Sequence, residues 1–368
     1  MGCARPARGR WRLLLSALAL SGLLGAAAPP PAFAQERAPA ERLKIVGGLA
    51  GLPQYVDHEE PFWTRDLPRL SQGRFKAEIV PFDRAGLRAT DLLSLVQLGS
   101  VPFGTVLLAV AAGRDPELGA PDLAGLNPDM ATLRRTLAAY RPTLAALLRE
   151  RYGVELLAIY AYPAQVLFCK QPWQRLDDLQ GRRIRTSSVS QSDWVEALGG
   201  RPVSTPFAEI ASNLRGGNID CAITGTMSGH RLGLHELTSH LHGMAVNWGL
   251  SAFVANGAAW QALPAELRQL LQRELPRLEA AIWDEAERDT RLGIECNTGA
   301  RSCGEPTRGR MTEVPTRPED LRRQREIFAG TVLPRWAQRC GAECAIDWNR
   351  TLGAVSGVSV PPLRSAAR

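Results

Sequence analysis

Leu176-Asp177-Asp178-Leu179-Gln180-Gly181-Arg182-Arg183-Ile184-Arg185-Thr186 opens the most informative stretch of the chain. Glu196-Ala197-Leu198-Gly199-Gly200 and Pro206-Phe207-Ala208-Glu209 follow. Leu214-Arg215-Gly216-Gly217-Asn218-Ile219-Asp220-Cys221-Ala222 closes it. Residues 176–181 read as a short helix stopped by Gly181, because glycine tolerates the left-handed turn that ends a helix. Arg183–Thr186 reads as a strand, Ser192–Leu198 and Phe207–Leu214 as helices, and Asn218–Thr224 as a strand. Strands alternating with helices predict an α/β lobe with a largely parallel sheet.

The same alternation extends outward. Leu156–Tyr160 and Gln165–Cys169 are strand-like, and Leu133–Tyr152 has helical apolar spacing. Further upstream, Leu43–Gly47 and Phe75–Phe82 read as strands, Thr90–Leu98 as a capped helix and Val101–Ala111 as β-prone. Downstream, Leu267, Leu271, Leu275, Leu278, Ile282 and Ala286 recur at spacings of three and four. This predicts an amphipathic helix over 263–293, with Pro264 in its first turn. Some thirty residues reach about 45 Å, the width of two lobes, and Pro276 should kink the helix. The fold expected is therefore α/β and two-lobed. One lobe takes residues 43–157 plus 243–262, the other 163–241 plus part of the C-terminal region. The long helix bridges them, and residues 294–368 form a cysteine-bearing C-terminal segment.

The amino terminus reads as an export signal, residues 1–34. Arg5, Arg8, Arg10 and Arg12 precede an apolar run from Leu13, and Ala32-Phe33-Ala34 is a small-x-small cleavage site. The run is short for a membrane span and is interrupted at Pro29. Removing residues 1–34 lowers the formal charge from +7 to +3. No basic run interleaved with aromatics remains to suggest nucleic acid as a partner. Export to an oxidising compartment suits the six later cysteines, which favour disulfides there. The local pairs Cys296–Cys303 and Cys340–Cys344 are expected, the glycine in each intervening segment letting the chain fold back. Cross-pairing between the two segments stays open. Cys169 and Cys221 can form a third bridge or remain buried thiols. A zinc site from the four C-terminal cysteines fits poorly, since C-x6-C and C-x3-C are not structural-zinc spacings.

In order and spacing, the segments from Leu176 to Ala222 resemble the solute-binding proteins of TRAP transporters, the DctP-type family. That family shows D-L-x-G-x-x-I-R, E-A-L-G, P-F-x-E and L-x-x-G-x-V-D-G-A in the same order. Arg84-Ala85-Gly86-Leu87 resembles the turn after its second strand. The resemblance implies a non-enzymatic periplasmic binding protein of two lobes, with a small organic acid in the interlobe cleft and a membrane-embedded permease as partner. No cofactor is implied. The carboxylate-binding arginine of the family falls on Arg185. A guanidinium grips a carboxylate through two parallel hydrogen bonds, and the carboxyl end of a strand in an α/β lobe is where ligands bind. The competing reading is a structural arginine paired with Asp178 or Glu209.

Two departures narrow the ligand. Gln165 stands where many relatives carry a second arginine, and Thr224 where an asparagine often contacts ligand. Both can hydrogen-bond but bring no charge, so a single carboxylate is expected. Phe207 falls where the family sets a ring against the ligand, and Trp248 is a further candidate wall; for both, core packing competes. His230, His235, His240 and His242 crowd into one segment, but their spacing matches no familiar metal set, and solvated loop histidines are the expected reading. From other classes, a secreted hydrolase lacks a G-x-S-x-G elbow or an H-E-x-x-H helix. A subunit feeding a membrane sensor instead of a permease stays open.

Overall fold

The computed structural model describes residues 41–362; the expected signal segment and its expected cleavage site lie outside them. Among the described residues, eleven strands form two sheets. The first contains β1 (Glu41–Gly47), β2 (Phe75–Pro81), β3 (Phe103–Leu107), β4 (Val154–Ala161) and β10 (Leu250–Asn256), in the order β2-β1-β3-β10-β4. The second contains β5 (Gln165–Cys169), β6 (Arg183–Thr186), β7 (Arg201–Ser204), β8 (Cys221–Gly225), β9 (His240–His242) and β11 (Thr312–Val314), in the order β11-β9-β5-β8-β6-β7. Each sheet is parallel but for one strand. β10 runs against β3 and β4 in the first, and β5 against β8 and β9 in the second.

This topology fixes where a ligand can bind. β4 leaves the first sheet at Ala161 and enters the second as β5 at Gln165, after three intervening residues. The carboxyl ends of the strands parallel to β4 therefore face the second lobe. The amino end of β5, and with it the carboxyl ends of β6, β7 and β8, face back. A second crossing runs from β9 to β10 and pairs with the first. Gln165 N donates to Asn247 O at 2.8 Å, Val246 N to Gln165 O at 2.9 Å, and Tyr162 N to Gly249 O at 3.0 Å.

The third connection is the long helix, Ala265–Thr298. Its apolar face lies where the spacing puts it: Leu267, Leu271, Leu275, Leu278 and Ile282 are buried in a cluster with Leu43, Trp63 and Phe253 of the first lobe. The last turns pack instead on the Thr226–Arg231 helix of the second lobe, where Asn297 Nδ2 donates to Thr226 O at 3.0 Å. The helix runs past the expected end at Gly293. That glycine is a point of close approach, not a terminator: a Cβ there would meet Thr226 Cβ at 2.7 Å. The terminator is Gly299, which takes the left-handed conformation at φ 86°. Pro264 is the residue before the first turn, and Pro276 is held inside the continuous helix.

Among the described residues three disulfides are present: Cys169–Cys221 between opposed residues of β5 and β8, Cys296–Cys303, and Cys340–Cys344. The last joins the Leu333–Cys340 and Ala342–Arg350 helices across Gly341, whose φ of 98° breaks the helix between them. The reading of the histidines as solvated is corrected. His230 and His242 are buried, the first stacked on His235 with centroids 4.5 Å apart, the second against Trp173 at 5.1 Å. That burial is set by tertiary packing, which spacing alone does not reveal.

Candidate functional site

Arg185 sits near the carboxyl end of β6, between β8 and β7 in the sheet. Its side chain is 3 % exposed. Each flanking strand contributes one carbonyl to hold it: Nη1 donates to Ile223 O of β8 at 2.8 Å, and Nε to Thr205 O, just past β7, at 2.9 Å. Among the described residues no carboxylate pairs with it, and Nη2 has no acceptor. The alternative partners are accounted for otherwise. Asp178 accepts from the backbone N–H groups of Gln174 and Arg175, and Glu209 is exposed. Burial pulls the guanidinium down to about 9, which leaves it charged at neutral pH. A buried cation facing only neutral dipoles is poorly compensated, so the site favours an incoming anion.

Thr224 lies on β8 one residue beyond Ile223, is 3 % exposed, and is paired with Val166 of β5. Phe207 opens a short 3-10 turn after β7, half-buried against the main core. These three side chains thus belong to neighbouring strand ends of one sheet edge. Gln165 is on the same edge, but both ends of its amide are engaged. Oε1 accepts from Gln191 Nε2 at 2.8 Å, and Nε2 donates to Trp248 O at 3.3 Å. Trp248 is buried with its indole N–H on Asn127 O at 3.0 Å, toward the first lobe.

Sequence reasoning missed Asp122. Its buried carboxylate accepts from Trp248 N at 3.0 Å, Gly249 N at 2.7 Å and Asn247 Nδ2 at 3.0 Å, and burial pushes it up to about 6. Three donors from one crossing segment are gathered on a residue more than a hundred positions away, so no local spacing marks it. Gln191 was missed for the same reason. A small cavity of about 30 Å³ opens beside Asp122. Leu108, Ala112 and Pro121 line it from the first lobe, Ser188 and Ser190 from the second, and Trp336 and Arg339 from the C-terminal segment.

The arrangement has the parts of a binding site. It has a buried guanidinium, neutral hydrogen-bonding neighbours, a half-buried ring and two lobes joined by paired crossings. The structure of a Bordetella pertussis extracytoplasmic solute receptor, DctP7, superposes with a TM-score of 0.75 at 22 % identity, covering 86 % of this chain and all of that one. A TRAP periplasmic solute-binding protein from Rhodoferax ferrireducens superposes at 0.71 with 19 % identity, covering 86 % of this chain and 97 % of that one. In sequence, the ectoine-binding periplasmic protein TeaA of Halomonas elongata is 27 % identical over 126 residues, 34 % of this chain and 37 % of TeaA's own length. The family model for bacterial extracellular solute-binding proteins, family 7, matches residues 56–295, more than half of the chain. Members of that family bind solutes and are not enzymes, and this chain belongs to it: it is a DctP-type extracellular solute-binding protein of family 7.

Proposed function

We propose that this protein is the periplasmic component of a TRAP-type secondary transporter. It captures a small organic acid bearing one carboxylate between its lobes and delivers it to the membrane-embedded permease. Residues 1–34 serve as the export signal, cleaved after Ala34. The observation that carries the reading is the Arg185 guanidinium, buried, held by two backbone carbonyls, and left without a carboxylate among the described residues. An incoming carboxylate takes Nη2 and completes the charge. Thr224 and Phe207 form the polar and ring walls beside it; Gln165 and Trp248 complete the edge toward the crossings. None of these four brings a second charge, which suits one anionic group better than two. Relatives are consistent with acid ligands. The Bordetella receptor binds pyroglutamic acid, and a Desulfovibrio salexigens protein of this fold was solved with orotic acid. The Rhodoferax protein holds malonate, a dicarboxylate.

The test is a thermal-shift screen of organic acids on the mature protein, followed by calorimetry. A ligand at 100 times its Kd stabilises by about 2.7 kcal/mol. Binding by Arg185→Ala within twofold of wild type would refute the site.

A further inference from the structure

Gln191, on the Val189–Ala197 helix, is fully buried, and its amide makes every hydrogen bond it can. Nε2 donates to Gln165 Oε1 at 2.8 Å and to Asn247 Oδ1 at 2.7 Å. Oε1 accepts from Ser187 N at 2.7 Å and Ser187 Oγ at 3.1 Å. One side chain thereby ties together the turn two residues past Arg185, the start of β5 and the second crossing segment. Asn247 carries the chain on to Asp122 of the first lobe at 3.0 Å.

We infer that Gln191 is a positioning residue for the Arg185 site, holding the β6 end in register with both crossings, with a donor–acceptor direction imposed from Asp122. The inference rests on the reading of Arg185 as the anion receptor.

The direction is forced from both ends. Shape alone does not tell the oxygen of an amide from its nitrogen, but the partners do. The Asp122 carboxylate gathers donors, two of them backbone N–H groups, so Asn247 must offer it Nδ2. Asn247 then turns Oδ1 to Gln191, which must answer with Nε2. That turns Gln191 Oε1 to Ser187 N, which is a donor and cannot be otherwise. The two ends agree, so no amide in the chain can reverse without setting acceptor against acceptor. A fully satisfied buried network of this kind holds its members in one arrangement, and a binding group is only as well placed as the residues behind it. Gln165 takes its orientation from the same chain. Its Oε1 is spent on Gln191 and its Nε2 on Trp248 O, so it serves the site through Gln191.

The experiment uses the mature protein with Gln191→Met, which keeps the volume and removes all four bonds, and Gln191→Glu, which sets an oxygen against Gln165 Oε1 and Asn247 Oδ1. Calorimetry with pyroglutamic acid, orotic acid, malonate and galacturonate is run at a temperature where circular dichroism shows each variant folded. Hydrogen exchange at the Ser187 amide is measured without ligand. For whichever acid binds the wild type, Gln191→Met weakens binding at least tenfold and Gln191→Glu further still. Ser187 exchanges at least tenfold faster in both. A purely structural amide would lower the melting temperature yet leave the Kd of the folded protein within twofold, and that result overturns the inference. If none of the four acids binds the wild type, the ligand-class reading fails separately. The Ser187 amide then decides: faster exchange upholds the tie, unchanged exchange overturns it.

Discussion

Gly293 of the long helix lies so close to Thr226 that an added Cβ would stand 2.7 Å from Thr226 Cβ, and closer still to the Met227 nitrogen. In an isolated helix, alanine is favoured over glycine by about 1 kcal/mol. Here the obstructing atoms are largely backbone and cannot swing aside. Gly293→Ala is therefore expected to destabilise the protein by about 1–3 kcal/mol, the cost of overpacking, despite the better helix former. Urea denaturation checks the sign. A stabilised variant would mean that the helix is not seated on the second lobe.

Arg185 supports a sharper prediction than loss of binding. Its charge is buried without a carboxylate among the described residues, so the unliganded protein carries an electrostatic cost that the ligand relieves. Arg185→Met fills the same space without charge. The variant should melt at or above the wild-type temperature, since replacing a buried charge by an apolar group is often neutral or stabilising. It should also bind the acid at least a hundredfold more weakly, about 2.7 kcal/mol. A variant that loses stability and binding together would make Arg185 a structural residue.

Much of this architecture was legible in the sequence. The bounds of β5 and β6 are those read from the alternation of strands and helices, Gln165–Cys169 and Arg183–Thr186. The buried face of the long helix follows from leucine spacing. Its end did not, because Gly293 looks like a stop and the reason it is glycine lies in another helix 67 positions away. The same limit applies at the site. Arg185 stands out in its motif, but Thr205 O and Ile223 O, which aim it, are backbone atoms with no sequence signature. Asp122 and Gln191 are ordinary polar residues until the crossings bring Asn247 and Trp248 to them.

Glu59 gives a pH prediction. It is fully buried, accepting from Gly48 N at 3.0 Å, Thr105 Oγ1 at 3.0 Å and Gln54 Nε2 at 2.6 Å. Burial pushes it up to about 7 from an ordinary value of 4.5, against the opposing pull of those bonds. A carboxyl whose folded pKa is raised binds more protons folded than unfolded. Stability should thus be highest below about pH 4.5, fall as pH rises toward 7, and level off above it. At about 1.4 kcal/mol per unit, the full span is about 3.5 kcal/mol. Asp122, raised to about 6, and Asp289, raised to about 7, slope the same way. Glu59→Gln should flatten the curve between pH 4.5 and 7. An unchanged slope in denaturation measured across that range would remove Glu59 from the account.

The C-terminal segment reaches both lobes. Trp336 donates its indole N–H to Pro116 O at 2.8 Å, in the stretch after β3. Arg335 and Arg339 pair with Asp193 on the helix after β6, and Arg335 also with Glu196 at 2.6 Å. Asp193 is 5 % exposed, so its two arginines are its compensation. Opening the cleft must break one set of contacts or carry the Pro116 stretch along. The arginines are partly exposed, which places the cost of Asp193→Asn between the surface and buried limits, about 1–2 kcal/mol. The variant should melt lower, and without ligand it should show a larger radius of gyration by small-angle scattering, with the difference lost at saturating ligand. Identical scattering from unliganded wild type and Asp193→Asn would mean that the segment rides on one lobe and does not restrain the other.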